Sequence, residues 1–321
     1  FVNEAKFVRA LNYFFLVRAF GKVPLVLVPT DEETNLRVPR NEVEQVYTQI
    51  IKDLEDASAL LNTYANVSQT KGRATGFAAK ALLAKVHLYH AKTTNDYTEA
   101  ARLAADVINE GGFSLPQDFS SVWTAENTSE SIFELQFDEQ ALNTLASVSN
   151  PTPSLLFHAD PSVIDLYEAT DKRRDFTLYQ NTDNSEDQRF YIGKYRKFSP
   201  ATQNFPVIRL AEIYLIHAEA QARVDGSVTA AAYNSYKEVR DRADVVTPIA
   251  STFTSVATFV RAVQEEKRLE MMFEGETWFD YVRTELALTE LMTVQDKNYF
   301  LYPIPDGERL VNTLLDQNPG Y

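Results

Sequence analysis

The sequence predicts an all-α-dominated fold: a tetratricopeptide-like scaffold of about four helix pairs, carrying an irregular, loop-rich sector with short strands. Helical periodicity recurs in paired blocks, and alanines fill the seams between blocks. Between residues 112 and 206 the periodicity stops.

The first pair is read over residues 5–20 and 42–62. Its second helix opens on "NEVE", where Asn41 can cap and Glu44 takes the third helical position. In 73–92, "RATGFAAKALLAKVHLYHAK" puts Phe77, Ala81, Leu82, Leu88 and Tyr89 at three- and four-residue spacings. A polar break, "TTND", leads into "YTEAARLAADVINEGG", whose double glycine is a helix stop. A third pair spans 207–244, with "VIRLAEIYLIHAEAQARV", a "DGSVT" break and "AAAYNSYKEVRDRA"; a fourth begins over 257–275. Stacked pairs bury seams that a lone hairpin would leave wet. Between them lie the breaks "NPTPS" (150–154) and "NTDNSEDQ" (181–188), and the β-like stretches "SIFELQF" (131–137) and "RFYIGKYRKF" (189–198). The organisation expected is a single domain over 1–321. Its scaffold is 1–111 and 207–280, its loop sector 112–206, and its tail, rich in loops, 281–321. Loops on a rigid frame are where binding residues concentrate.

Of 321 residues, 45% are hydrophobic and 24% charged, ample for a sizeable core. A formal net charge of −14 excludes a polyanion partner such as nucleic acid, which needs a concentrated cationic surface. The basic groupings Lys172-Arg173-Arg174 and Lys194 to Lys197 are short and read as solvated or ion-paired. The absence of cysteine removes disulfides, thiol catalysis and zinc-thiolate sites. No apolar run reaches the roughly 20 residues of a membrane-spanning helix. The chain starts inside a helix without Met, so an N-terminal piece is expected to be missing.

Catalytic constellations are scarce. In "FEGETWFDYVR" (273–283), Glu276 and Asp280 would share a helix face beside Trp278, a pairing a retaining glycosidase could use. The flanking "EEKRLEMMFEG" instead reads as a repeat helix, with Trp278 and Phe279 as core and Asp280 anchoring a donor. His87 and His90 have metal-like spacing with Asp96 nearby, but no third ligand is evident, so they read as structural. Glu212 and Glu219 lie on one helix face and are expected to pair with Arg209, Arg223 or the arginines of "EVRDRA". No nucleophile elbow, phosphate loop or calcium loop is present; "DNSEDQ" lacks the sixth-position glycine of an EF-hand. No metal and no cofactor is expected.

Several stretches together resemble one family. "EAKFVRALNYFFLVRAFGKVPLV", "GFAAKALLAKVHLYHAKTTNDYTEAARLAADVINEGGFSL", "SESIFELQF", "YEATDKRRDF", "PVIRLAEIYLIHAEA" and "YPIPDGE…QNPGY" occur in the order of the SusD/RagB family of outer-membrane nutrient-binding lipoproteins. The resemblance covers residues 4–321. One departure is local: Glu276-Thr277 stand where the family usually has His-Arg. The resemblance implies a non-enzymatic, lipid-anchored protein on the outer leaflet of the outer membrane. It would bind a glycan and deliver it to a SusC-like TonB-dependent transporter, with oligopeptide cargo or a protein–protein adaptor role as alternatives. The N-terminal lipid anchor would lie outside this chain.

Sugar rings pack CH faces on aromatics while their hydroxyls need amide and carboxylate partners. With aromatics at 12%, candidate binding residues are Phe157, His158, Tyr179, Tyr191 and Phe198, with Asn181, Asp183, Arg189 and Gln203 as polar partners. Trp123 and Trp278 read as packing residues.

Overall fold

A computed structural model describes residues 1–31, 36–182, 184 and 186–321. Among them, seven long helices carry the frame: α1 (Val2–Phe20), α2 (Val43–Ala57), α3 (Gly76–His90), α4 (Thr94–Glu110), α5 (Leu210–Asp225), α6 (Ala230–Arg242) and α7 (Val256–Glu270). Four short strands, β1 (Ser131–Leu135), β2 (Leu178–Gln180), β3 (Phe190–Ile192) and β4 (Phe205–Arg209), form two antiparallel pairs, β1 with β4 and β2 with β3. The helix-dominated scaffold expected from periodicity is the one observed. The chain divides into two compact units, residues 1–60 with 278–321, and residues 61–277.

In the first unit, α1 and α2 form an αα-hairpin. Phe7, Ala10, Phe14 and Val17 on one helix meet Val46, Ile50 and Leu54 on the other, all buried. Arg9 clamps the buried Asp53 with two hydrogen bonds of 2.8 and 2.7 Å. The Arg18 guanidinium lies between the rings of Phe14 and Phe279, 4.1 and 4.2 Å from their centroids. The C-terminal segment is stitched on through Arg40, which donates to the carbonyls of Phe20 (3.0 Å) and Lys22 (2.7 Å) and to Asn318 Oδ1 (2.5 Å). Asn318 in turn donates to the carbonyls of Phe20 and Tyr302. The carbonyl of Phe20 is an orphan acceptor at the end of α1, so the "QNPGY" tail serves as its cap. Trp278 stacks on Tyr302 at an interplanar angle of 8°.

In the second unit, α4 and α5 pack closely, flanked by α3 on one side and by α6 and α7 on the other. The seams are built of alanine: Ala78, Ala79, Ala81, Ala84, Ala100, Ala104, Ala211, Ala218 and Ala222 are all buried. Small side chains let helix axes approach closely. Tyr236, Phe253 and Phe259 close the α5–α6–α7 core with edge-to-face contacts. The loop sector has its own core of Phe119, Val122, Trp123, Leu178, Ile192 and Tyr195.

A buried ionic network joins this sector to the helices. Glu270, at the end of α7, receives Arg209 Nη1 at 2.5 Å and Arg173 Nη1 at 2.9 Å, and also pairs with Arg242. Glu130 bridges Arg209 and Arg242 at 2.8 Å each. Glu274 holds Lys194 at 2.5 Å and Arg209 at 2.7 Å, while Asp171 and Glu266 hold Arg173 at 2.7 Å each. Arg240 pairs with Glu266 at 2.6 Å. Both basic groupings of the sequence thus place a member, Arg173 and Lys194, in the interior. Burial alone would raise the Glu270 carboxyl, but Arg242, Arg209, Arg173 and Lys194 together hold it well below the usual carboxylate range. Burial pushes Lys194 down to about 8 against the pull of Glu274.

Several local expectations are corrected. The cap of α2 is Glu42, not Asn41: Gln45 Oε1 accepts from the Glu42 N–H at 3.0 Å, and Asn41 Oδ1 is taken by the Leu25 N–H at 3.0 Å. "TTND" is mostly helix, because Thr93 and Asp96 form a capping box that starts α4 at Thr94. "PVIR" is strand, not helix: Pro206 and the β-branched Val207 and Ile208 favour extended backbone, and β4 pairs with β1. Glu212 pairs with Lys85 (2.7 Å) and Lys267 (3.1 Å) instead of the arginines expected; Glu219 does pair with Arg223. The fourth block is not a hairpin. Helix α7 packs against α5, and left-handed Phe273 and Gly275 (φ 66° and 83°) break the chain before a two-turn helix, Thr277–Arg283.

Replacing Glu270 with Gln should remove the charge that balances three buried arginines and cost about 3–5 kcal/mol. Urea denaturation of Glu270→Gln against the parent chain measures this; a change below ~1 kcal/mol would show the network to be energetically slack.

Candidate functional site

The β2–β3 hairpin positions the site. Its register sets Tyr179 opposite Tyr191 and Leu178 opposite Ile192. An isolated bridge, with the Ala159 N–H donating to the Phe190 carbonyl at 2.8 Å, brings the segment after "NPTPS" alongside β3. Gly193 then allows the chain to turn, since a Cβ there would sit 1.6 Å from the Phe176 carbonyl oxygen.

Against this hairpin lies an open cleft of about 570 Å³, lined by His158, Ala159, Pro161, Asn184, Glu186, Asp187, Gln188, Arg189 and Phe190. Asp187, Arg189 and Tyr191 alternate along extended chain and so share a face. Arg189 chelates Asp187 through Nε at 2.8 Å and Nη2 at 3.0 Å, and the Arg189 N–H adds a third bond at 3.2 Å. The Tyr191 hydroxyl donates to Asp187 as well. Those bonds, from Arg189 first and then Tyr191, hold the Asp187 carboxyl well below its usual range. Asp187 is therefore a fixed anion and hydrogen-bond acceptor, and it has no proton to give as a general acid.

A second cleft of about 540 Å³ is lined by Trp123, Thr124, Glu126, Gly193, Arg196, Lys197 and Gln203. Arg196 lies 4.4 Å over the Tyr179 ring, and Lys197 pairs with Glu126 at 2.9 Å. Burial pushes the Tyr179 hydroxyl up to about 12, and this hydroxyl donates to Asn150.

The residues named from sequence divide between these places. His158 and Arg189 line the first cleft and Gln203 lines the second. Phe157 is 60% exposed beside the first cleft's His158. Tyr179 is half-buried beneath Arg196, and Phe198 packs on the sector core. Tyr191 is buried and acts through its hydroxyl; Gln203, 3% exposed, donates to the Lys194 carbonyl at 2.5 Å and accepts from the Lys197 N–H at 3.1 Å. Asn181 is half-buried, and Asp183 lies outside the described residues. Sequence reading missed Asp187, Glu186 and Phe190, although the alternation of Asp187, Arg189 and Tyr191 was a usable signal. Trp123 was read as packing alone; it is buried, yet it also lines the second cleft. Among the described residues no group of three metal-ligating side chains occurs, and Asp96 is engaged by the Lys92 and Thr93 N–H groups.

Comparison with known proteins places the chain. A family model described as the SusD family matches residues 169–321, and a second, described as "Starch-binding associating with outer membrane", matches 2–88. The chain belongs to the SusD/RagB family. It is 27% identical to SusD-like protein P2 of Formosa agariphila over 99% of its own length and 73% of that protein's. A SusD superfamily crystal structure from Parabacteroides distasonis superposes with a TM-score of 0.85 at 27% identity, covering 99% of this chain and 78% of the other. A structure described as a laminarin-binding SusD-like protein gives 0.83 at 27% identity, with the same coverage. In this SusD-like chain, Glu276, standing where the family usually has His, pairs with the buried Lys85 at 2.9 Å. Asp280 pairs with Arg283 at 2.7 Å. Glu276 precedes the Thr277–Arg283 helix, so the two acids do not form the one-face helical pair that the sequence allowed.

The Asp187 contacts should persist at acid pH. With a lowered folded value, their contribution is at full strength above the ordinary carboxylate midpoint of ~3.9 and fades only as pH falls through the folded value. Carboxyl carbon shifts should show Asp187 still ionised at pH ~3.9; half-titration there would disprove the chelate.

Proposed function

We propose that this SusD-like chain binds an oligo- or polysaccharide without cleaving it, at the outer face of the outer membrane, and passes it to a SusC-like TonB-dependent transporter. An N-terminal lipid would hold it at the membrane; no helix among the described residues is long and apolar enough to cross one. The observation that carries the reading is the near-complete superposition, at 27% identity, on a laminarin-binding relative. The first cleft is compatible chemically: Phe190 and Pro161 offer apolar surface, while Asn184, Gln188, Glu186 and Arg189 offer the donors and acceptors that hydroxyls need. The non-catalytic part is supported by the carboxylates: Asp187, Glu276 and Asp280 are each committed to a cation.

Affinity electrophoresis and calorimetry with laminarin, starch and xylan should show binding to at least one, with no release of reducing ends on prolonged incubation. Reducing-end release would make the protein a hydrolase. Binding of peptides with no glycan bound would transfer the cargo to oligopeptides, and binding of neither would favour an adaptor role.

A further inference from the structure

The first cleft carries an electrostatic instruction about its ligand. Among its described lining residues, Arg189 is the single guanidinium or ammonium group, and Glu186 and Asp187 are the carboxylates. Arg189 faces Asp187 at 2.8 and 3.0 Å through two of its three nitrogens, and the Asp187 side chain is only 7% exposed. A bidentate pair of this kind fixes the guanidinium in plane and cancels its charge locally. The Tyr191 hydroxyl, itself within a buried residue, holds the carboxylate from the other side. What the cleft presents is thus an array of neutral donors and acceptors plus the unbalanced acid Glu186. The whole chain adds a formal charge of −14, a field that turns polyanions away before contact.

Resting on the glycan-binding reading, the geometry points to Asp187 as the residue that restricts this cleft to uncharged glycans, by occupying the one guanidinium that its described lining residues offer to a uronate or sulfate group. A hydroxyl pair can bridge the remaining Arg189 N–H groups and a Glu186 oxygen without breaking the Asp187 chelate. A ligand carboxylate could reach Arg189 only by displacing Asp187, and would then confront two protein carboxylates in one small space.

The test compares neutral glycans (laminarin, starch, xylan) with polygalacturonate and alginate by affinity electrophoresis and calorimetry, for the parent chain, Asp187→Asn and Tyr191→Phe. The parent chain should bind a neutral glycan with affinity insensitive to salt, and the polyuronates at least roughly tenfold more weakly. Asp187→Asn should narrow or reverse that ratio by about tenfold, the size of one charge contact, with the gained uronate binding falling as salt rises. Tyr191→Phe keeps the chelate and loses only the phenol bond, so it should retain the parental preference; this separates a charge effect from a loosened loop. Polyuronate bound by the parent as tightly as neutral glycan would overturn the inference and leave the glycan reading standing. An unchanged preference in a folded Asp187→Asn would remove Asp187 from that role. Failure of the parent to bind any glycan would take down the reading and the inference together.

Discussion

Glu270 is the constraint on which the larger unit depends. It closes α7, is fully buried, and is contacted by arginines from three separate places: the loop before β2, the end of β4 and the end of α6. Charges so far from water are tolerated only when each meets its complement in good geometry. That requirement fixes positions that apolar packing alone would leave adjustable. The loop sector cannot slide over the helices without pulling Arg173, Arg209 or Lys194 away from Glu266, Glu270 and Glu274. The network also sets the turn after α7, because Glu274 in that turn receives both Lys194 and Arg209. A loop sector of short strands is thereby given a defined seat on an alanine-seamed scaffold.

That seat explains how the candidate clefts acquire their shape. Lys194 and Tyr195 follow β3 after Gly193 and are anchored below, Lys194 to Glu274 and Tyr195 by donating to the Phe273 carbonyl at 2.7 Å. With the hairpin held at its base, the alternation along the extended chain entering β3 carries Asp187, Arg189 and Tyr191 into one cluster. The polar cluster at the rim and the ionic cluster in the core are therefore linked by only a few residues of extended chain.

Much of the helical frame was legible because amphipathic periodicity, alanine seams and capping residues are local signals. The failures occurred where a local signal was ambiguous or a partner lay far along the chain. "PVIR" runs straight into the α5 pattern, and only pairing with β1 makes it strand. Glu212 sits among arginines in sequence, yet the fold presents it to Lys85 and Lys267, which no spacing rule could reveal. In the site, His158 and Arg189 were found because they lie in loops flanked by proline and polar runs. Asp187 was overlooked because an acid in "NTDNSEDQ" looks like one more solvated charge. Tyr191 and Gln203 were chosen as ligand-facing residues, but burial gives them supporting hydrogen bonds instead. The resemblance to the family identified the scaffold through its framework motifs; the rim, which departs from regular structure, had no comparable pattern to read.

The Arg40 stitch has a consequence for biogenesis. The smaller unit is assembled from residues 1–60 and 278–321, and the Phe20 carbonyl at the end of α1 is capped by Asn318 and Arg40 together. During vectorial synthesis the α1–α2 hairpin emerges before residues 61–277 and waits for residues 278–321 to complete its packing, by which point residues 61–277 are already whole. The smaller unit is thus closed only after the unit threaded between its two halves has emerged. A ribosome stalled shortly before the "QNPGY" codons would leave the intervening unit able to fold and the α1–α2 hairpin unlatched.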